Sequence, residues 1–176
     1  PPRSTLFPYT TLFRSVRAMS LVHEKLYQSE GLSKINLSSY LHSLGTQLIS
    51  SHGEIARKVT LHMEFDPILT DINIAIPLGL VVNELVSNAV RHAFPGEMEG
   101  NVTLRGQMSG KEITLSVADD GIGFPEGFDL RDSRTLGLHL VQTLVRQLDG
   151  RIERASVERG TKYIVVIPVK ETGEKA

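Results

Sequence analysis

The chain of 176 residues has no cysteine and no tryptophan. Without a thiol it can form no disulfide, run no thiol chemistry and offer no cysteine to zinc, a composition that suits a reducing compartment. Neither sign of charge is in excess. Nineteen Lys and Arg stand against 20 Asp and Glu, for a formal net charge of -1, so bulk charge points to neither nucleic acid nor an anionic membrane surface as a partner. Uninterrupted apolar runs such as Leu78–Val82 fall far short of the ~20 residues that cross a bilayer as a helix. No hydrophobic signal segment opens the chain. These absences predict a soluble, cytoplasmic fragment that makes no direct membrane contact, while its parent protein can still be membrane-anchored. There is no Gly-x-x-x-x-Gly-Lys-Ser/Thr, and no Gly-x-Gly-x-x-Gly follows a first strand, so P-loop and Rossmann readings find no support. The histidines are scattered. His23 and His42 fall on predicted helices and His62 on the polar side of a predicted strand, and none has the His-Glu-x-x-His spacing of a metal site.

What remains is an ordinary globular composition, 40% hydrophobic and 22% charged, long enough for one domain plus an appendage. Residues 1–15 stand apart. They repeat Thr-Leu-Phe (Thr5–Phe7 and Thr11–Phe13) without any sustained period, and resemble translated sequencing-adapter read-through. They are read as a non-native or disordered tail, and if non-native, sequence before Val16 is missing. From Val16 to Gln28, Met19, Val22 and Leu26 mark one helical face, stopped by Gly31. Asn36 is a candidate N-cap for a second helix striped with Leu37, Leu41, Leu44 and Leu48, with Gly53 past its end. Val59–Phe65 alternates as a strand with one wet face, ended by Asp66-Pro67. A long helix is predicted from about Asp71 to Ala93, with Pro77 either kinking it or marking its true start. Val102–Met108 and Glu112–Val117, joined at Ser109-Gly110, read as a hairpin. A fourth helix spans about Leu136 to Leu148 and ends at Gly150. A strand near Arg151–Val157 and an interior strand Tyr163–Val169 follow, and residues 171–176 form a charged tail. The order α-α-β-α-β-β-α-β-β predicts a two-layer α/β sandwich, a mixed sheet covered on one face by helices.

Several short stretches carry chemistry. On the third helix Leu78, Val82, Leu85, Ala89 and Ala93 form an apolar face, while Glu84, Asn88 and His92 recur four apart with Arg91 beside them. An amide oxygen can ligate a hard octahedral cation such as magnesium, and a guanidinium can meet phosphate oxygens. Asp119-Asp120-Gly121-Ile122-Gly123 follows directly on a strand, where a fixed carboxylate can accept from an exocyclic amine and glycines allow close backbone approach. Leu136-Gly137-Leu138-His139 opens a helix whose amide groups and dipole favour an anion. Gly160-Thr161 precedes the last strand. Taken singly, each is equally a solvated helix face, an Asp-Gly turn or a plain helix start.

Their co-occurrence, in this order and separation, resembles the N, G1, G2 and G3 boxes of the Bergerat ATP-binding fold shared by histidine kinases, type II topoisomerases, Hsp90 and MutL. The likeness covers about Leu37 to Pro168. Within that group Val16–Tyr27, Ile76–Leu85 and Arg91–Pro95 look most like histidine kinases of the second HisKA type, close to the HWE group. The resemblance implies an ATP-binding catalytic domain over residues 36–170, preceded by residues 16–31 as the end of a dimerisation and phosphotransfer hairpin. His23-Glu24 imitates a phospho-acceptor box, but its place matches a later His-Glu-x-Leu-Tyr, so no acceptor histidine is assigned in this chain.

The same resemblance implies the roles. Asn88 would hold magnesium, with Glu84 nearby positioning metal-bound water. Arg91 would approach the phosphates and His92 would line the ribose or adenine. Asp119 would bind the adenine amine, with Gly121 and Gly123 opening the pocket and Thr161 near the base. Residues 124–135 would form the lid, and Leu136, Gly137, Leu138 and His139 would cap the phosphates. The reaction implied is transfer of the ATP γ-phosphoryl to a histidine for relay to an aspartate of a response regulator receiver domain, in a protein that is a homodimer at full length. In hydrolysing relatives a glutamate at the place of Glu84 is a general base for water, yet kinases of the second HisKA type commonly carry it. Three other readings stay open: an ATPase of this fold, an anti-sigma-like serine kinase, and a non-catalytic nucleotide-binding adaptor.

Overall fold

The computed structural model describes residues 34–53, 55–124 and 136–169. The tail at 1–15, the helix expected over 16–28, nearly all of the expected lid and the tail at 171–176 lie outside the described residues. β1 (Lys34–Asn36) runs into α1 (Leu37–Ser50), and Asn36 caps that helix as expected, its side chain accepting from the Ser39 amide at 2.9 Å. The leucine stripe of α1 is buried together with Tyr40. A single 3₁₀ turn, Ile55–Lys58, leads into β2 (Val59–Phe65), which has the bounds that its alternation predicts.

β3 (Leu69–Asp71) then pairs antiparallel with β1 as a separate two-stranded sheet. The sequence gives no sign of this sheet, because strands of three residues are too short to show a period. Asp71 caps α2 (Ile72–His92) through a 2.8 Å bond from the Asn73 amide to its carboxylate. The helix therefore begins five residues before Pro77, which lies inside it rather than marking its start. The apolar runs of α2 are short, yet the helix as a whole passes a length-and-composition test for a crossing. It has 21 residues, and an 18-residue window of it reaches a mean hydropathy of 1.4, but 67% of that window is buried within the domain. It is a core helix.

β4 (Gly100–Ser109) and β5 (Glu112–Asp119) form the hairpin, closed by Gly110-Lys111. α3 (Leu136–Gln147), β6 (Arg151–Ala155) and β7 (Thr161–Pro168) complete the chain. The sheet order is β2-β4-β5-β7-β6, with β2 parallel to β4 and the other neighbours antiparallel. β7 is thus an interior strand, as its run of β-formers predicts. α3 ends one residue earlier than Gly150 suggests. Asp149 takes the left-handed conformation (φ 55°) and donates to Arg146 O at 3.0 Å, while Gly150 donates to Val145 O at 3.0 Å, the paired bonds of a Schellman closure.

Alternation divides the sheet. Val102 and Leu104, Ile113, Leu115 and Val117, and Tyr163, Val165 and Ile167 join one buried cluster with Val82, Leu85 and Val86 of α2 and Val141 and Val145 of α3. The opposite face carries Arg105, Gln107, Thr114, Ser116 and Lys162 around a polar hollow of about 580 Å³. Across it Arg105 grips Glu64 with two bonds of 2.8 and 3.1 Å. Both side chains are exposed, and the Arg105 guanidinium holds the Glu64 carboxyl below its usual range. The helices cover one face, the two-layer arrangement that the order of elements predicts.

Candidate functional site

The polar stripe of α2 runs from the interior to solvent rather than lying on one wet face. Asn83 and Glu84 are 2% and 4% exposed and Ser87 is buried, whereas Asn88 is half-buried and Arg91 and His92 are exposed. A carboxylate so deep needs partners. Asn83 Nδ2 donates to Glu84 Oε1 at 3.3 Å. On the other side lies the start of α3: a Cβ added to Gly137 would come within 2.7 Å of Glu84 Oε2 and 3.8 Å of Asn88 Nδ2. A Cβ here would have to displace the Glu84 carboxylate, so glycine favours the close approach, and the positive end of the α3 dipole then faces the buried carboxylate. Arg91 folds back along its own helix, with Nε donating to Ser87 O and Nη2 to Asn88 Oδ1, both at 3.0 Å. Partial burial, with the Arg91 charge beside it, holds the His92 imidazole below its ordinary value.

The second half of the site lies where β5 ends. Asp119 pairs with Thr161 across the β5–β7 ladder, and its Oδ1 accepts from the Gly121 amide at 3.1 Å and the Thr161 amide at 3.2 Å. Burial pushes the Asp119 carboxyl up, against the pull of those bonds. Ile122 donates to Ala93 O at 2.9 Å, tying this turn to the end of α2, and a Cβ on Gly121 would collide with Ala93. Two positive-φ glycines close the turn. Gly160 (φ 77°) leaves no room for a Cβ beside the Asp119 carbonyl, and Gly123 (φ 68°) sits where a Cβ would come 2.8 Å from Gly160 O. Arg154 on β6 lies 5.5 Å above the Phe124 ring, a cation–π contact at the edge of the site.

Two groupings emerge from the residues singled out in sequence. Glu84, Asn88 and Gly137 converge at the α2–α3 contact, with Arg91 bonded to Asn88 and His92 one residue further on. Asp119, Gly121, Gly123 and Thr161 converge at the β5–β7 end. The opening of α3 is divided: Leu136 and His139 are exposed, while the Leu138 side chain is 4% exposed and belongs to the core. Leu138 can therefore offer a ligand only its backbone.

Sequence reasoning passed over Asp120. Its Oδ1 accepts from the Asn101 amide at 2.7 Å and its Oδ2 from Asn101 Nδ2 at 2.8 Å, and Asn101 Oδ1 lies 3.0 Å from His62 Nε2. Desolvation works to raise the Asp120 carboxyl, but these bonds outweigh it and hold it low. This clamp ties the turn after β5 to β4. The adjacent carboxylate in Asp119-Asp120-Gly121 was the only signal, and nothing in the sequence marks Asn101 as its partner.

The chain matches two family descriptions: residues 73–171 match "Histidine kinase-, DNA gyrase B-, and HSP90-like ATPase", and residues 9–52 match the histidine kinase description HisKA_2. The second match runs on into α1. The sensor histidine kinase PdtaS of Mycobacterium tuberculosis is 36% identical over 163 residues, which are 91% of this chain and 32% of that protein. The blue-light-activated histidine kinase 2 of Erythrobacter litoralis is 30% identical over 169 residues, 93% of this chain and 48% of that protein. The chain thus spans a third to a half of the length of these relatives. Among solved structures, the histidine kinase domain of the Erythrobacter litoralis EL346 blue-light-activated kinase superposes with a TM-score of 0.81 at 28% identity, covering 90% of this chain and 75% of that one.

Proposed function

This chain belongs to the histidine kinase-, DNA gyrase B- and HSP90-like ATPase family, and from that premise we propose that it is the ATP-binding catalytic part of a sensor histidine kinase. The observation that carries the reading is the Asp119 carboxylate, fixed at a strand end by the Gly121 and Thr161 amides. A carboxylate has about four lone-pair sites, so capacity remains for the exocyclic amine of adenine. The half-buried setting strengthens that bond relative to one in water.

The nucleotide would run from Asp119 towards the α2–α3 contact. The open helix start at Gly137 would meet phosphate oxygens with its backbone N–H groups. Arg91, bonded in the free protein to Asn88 Oδ1, would exchange that partner for phosphate and so release the amide oxygen. Asn88 and Glu84 offer hard oxygen donors, and among the described residues no group of three or more acidic, histidine or cysteine side chains forms a cage. That set fits magnesium, which takes one or two protein ligands and fills its shell with phosphate and water. Magnesium held there would neutralise charge on the phosphates. His92, kept neutral by its surroundings, would line the ribose or base without adding charge.

In the whole protein the γ-phosphoryl would pass to a histidine nitrogen, with ADP leaving, and then to a receiver-domain aspartate of a response regulator. Positioning and electrostatics are what the domain supplies to such a transfer. The full-length protein is proposed to be a homodimer working in the cytoplasm. The HisKA_2 match over residues 9–52 favours histidine over serine as the acceptor. The test is to incubate the chain with γ-labelled ATP and an intact acceptor hairpin supplied in trans. Acid-labile label on the hairpin supports the proposal. Label on serine, released phosphate without transfer, or nucleotide binding alone would instead assign the serine kinase, the ATPase or the adaptor.

A further inference from the structure

Tyr163 lies two residues beyond Thr161 on β7, opposite Val117 and one step along the ladder from the Asp119–Thr161 pair. By alternation its side chain shares the helix-covered face with Asp119 and Thr161. It is 6% exposed, and its hydroxyl is buried without a hydrogen-bond partner among the described residues. Phenylalanine would fill the same volume and bury no hydroxyl. An unmet buried O–H costs about what a lost hydrogen bond costs, so a hydroxyl at this position calls for a partner that the described residues do not provide. Burial pushes the phenol up to about 12, with the Arg154 charge pulling it down and the negative charge of Asp119 adding to the rise. The group is therefore a permanent donor within electrostatic reach of the carboxylate. Arg154, paired with Tyr163 across β6–β7, flanks it on the other side and reaches over Phe124.

Building on the proposed nucleotide site, we infer that Tyr163 is a specificity-determining residue whose hydroxyl reads the base together with Asp119. A 6-aminopurine presents an amine donor and, next to it, a ring-nitrogen acceptor. Asp119 takes the donor, and the Tyr163 O–H supplies the donor for the acceptor. Guanine presents a carbonyl oxygen to the Asp119 carboxylate, which refuses it, whereas adenine satisfies both Asp119 and the Tyr163 O–H. Without a base, the hydroxyl is the unmet half of this arrangement.

The experiment is calorimetry on the 176-residue chain and on Tyr163→Phe, with ATP, GTP and an ATP analogue in which that ring nitrogen is replaced by C–H, alongside thermal melting. Tyr163→Phe should weaken ATP about tenfold, the worth of one neutral hydrogen bond, while the nucleotide-free protein melts no lower than the original. A merely structural tyrosine would move both readouts together, or neither. The analogue should weaken binding to the original chain by the same factor and show no further loss in the variant. That first comparison stands even if the variant fails to fold. Tyr163→Phe binding ATP within about twofold of the original, or an analogue bound as well as ATP, overturns the inference and leaves the nucleotide site standing. A folded original chain that binds no ATP overturns the nucleotide site itself.

Discussion

Replacing Asp119 with asparagine separates holding the site together from reading a base. Asparagine has the same shape and keeps an Oδ1, so it can still accept from the Gly121 and Thr161 amides at 3.1 and 3.2 Å. It loses the charge, and if Oδ1 stays on those amides its second position becomes an N–H pointed at an incoming amine. A hydrogen bond to a charged group contributes about 1.5–3 kcal/mol, so ATP affinity should fall by a factor of roughly 10 to 150. Stability should move the other way. The folded-state pKa of Asp119 lies above the unfolded value of 3.8, so the native state holds more protons than the unfolded one between those values. Stability from this group is then fully present below 3.8 and is lost as pH rises through the folded value. Asparagine has no proton to lose. At neutral pH Asp119→Asn should melt at or above the temperature of the original chain, and the gap should close in acid. Calorimetry with ATP and thermal melting across pH read both quantities. Unchanged ATP binding would refute the base-reading role, and a variant that unfolds would show that the carboxylate is there to hold the turn.

Asn88→Ala should abolish most of the tightening that magnesium gives to ATP binding while leaving the melting temperature nearly unchanged, because its one described bond is to the exposed Arg91; calorimetry with and without the ion decides. Gly160→Ala places a Cβ against the Asp119 carbonyl at φ 77°, and urea unfolding should show a loss of at least ~2 kcal/mol, since a left-handed alanine alone costs about 1–2. His92 is held below its unfolded value of 6.5, so its contribution is present above that pH and is lost as pH falls through the folded value. His92→Gln should flatten the decline in stability below pH 6.5, read from urea midpoints at several pH values.

The elements legible in sequence are those whose signal is local. Asn36 before a leucine stripe, Asp71 before an apolar run, and the alternation of Val59–Phe65 each fix a boundary through the neighbouring residues alone, and the structure agrees with all three. What escaped depends on contacts distant in sequence. β1 and β3 exist because residues 34–36 and 69–71 meet, and neither shows a period of its own. Spacing on α2 placed Glu84, Asn88 and His92 on one stripe, but not the burial of Glu84, which follows from the arrival of α3 at Gly137. The Asp120–Asn101 clamp joins the turn after β5 to β4 across 19 residues of chain. The Asp149 closure passed unseen because glycine is the usual left-handed residue and Gly150 stood next to it.

α2 also bears on how the topology of longer relatives should be drawn. A hydropathy scan sees an 18-residue window of mean hydropathy 1.4 within this 21-residue helix and counts a crossing. Yet Asn83 and Glu84 stand side by side near the midpoint of the helix, where a bilayer penalises a carboxylate by about 2.5–3.5 kcal/mol on insertion scales. Here the sheet and the other helices shelter what lipid would not. Each miscount of this helix as a span adds one to the tally of crossings. Every segment after it is then assigned to the wrong side of the membrane.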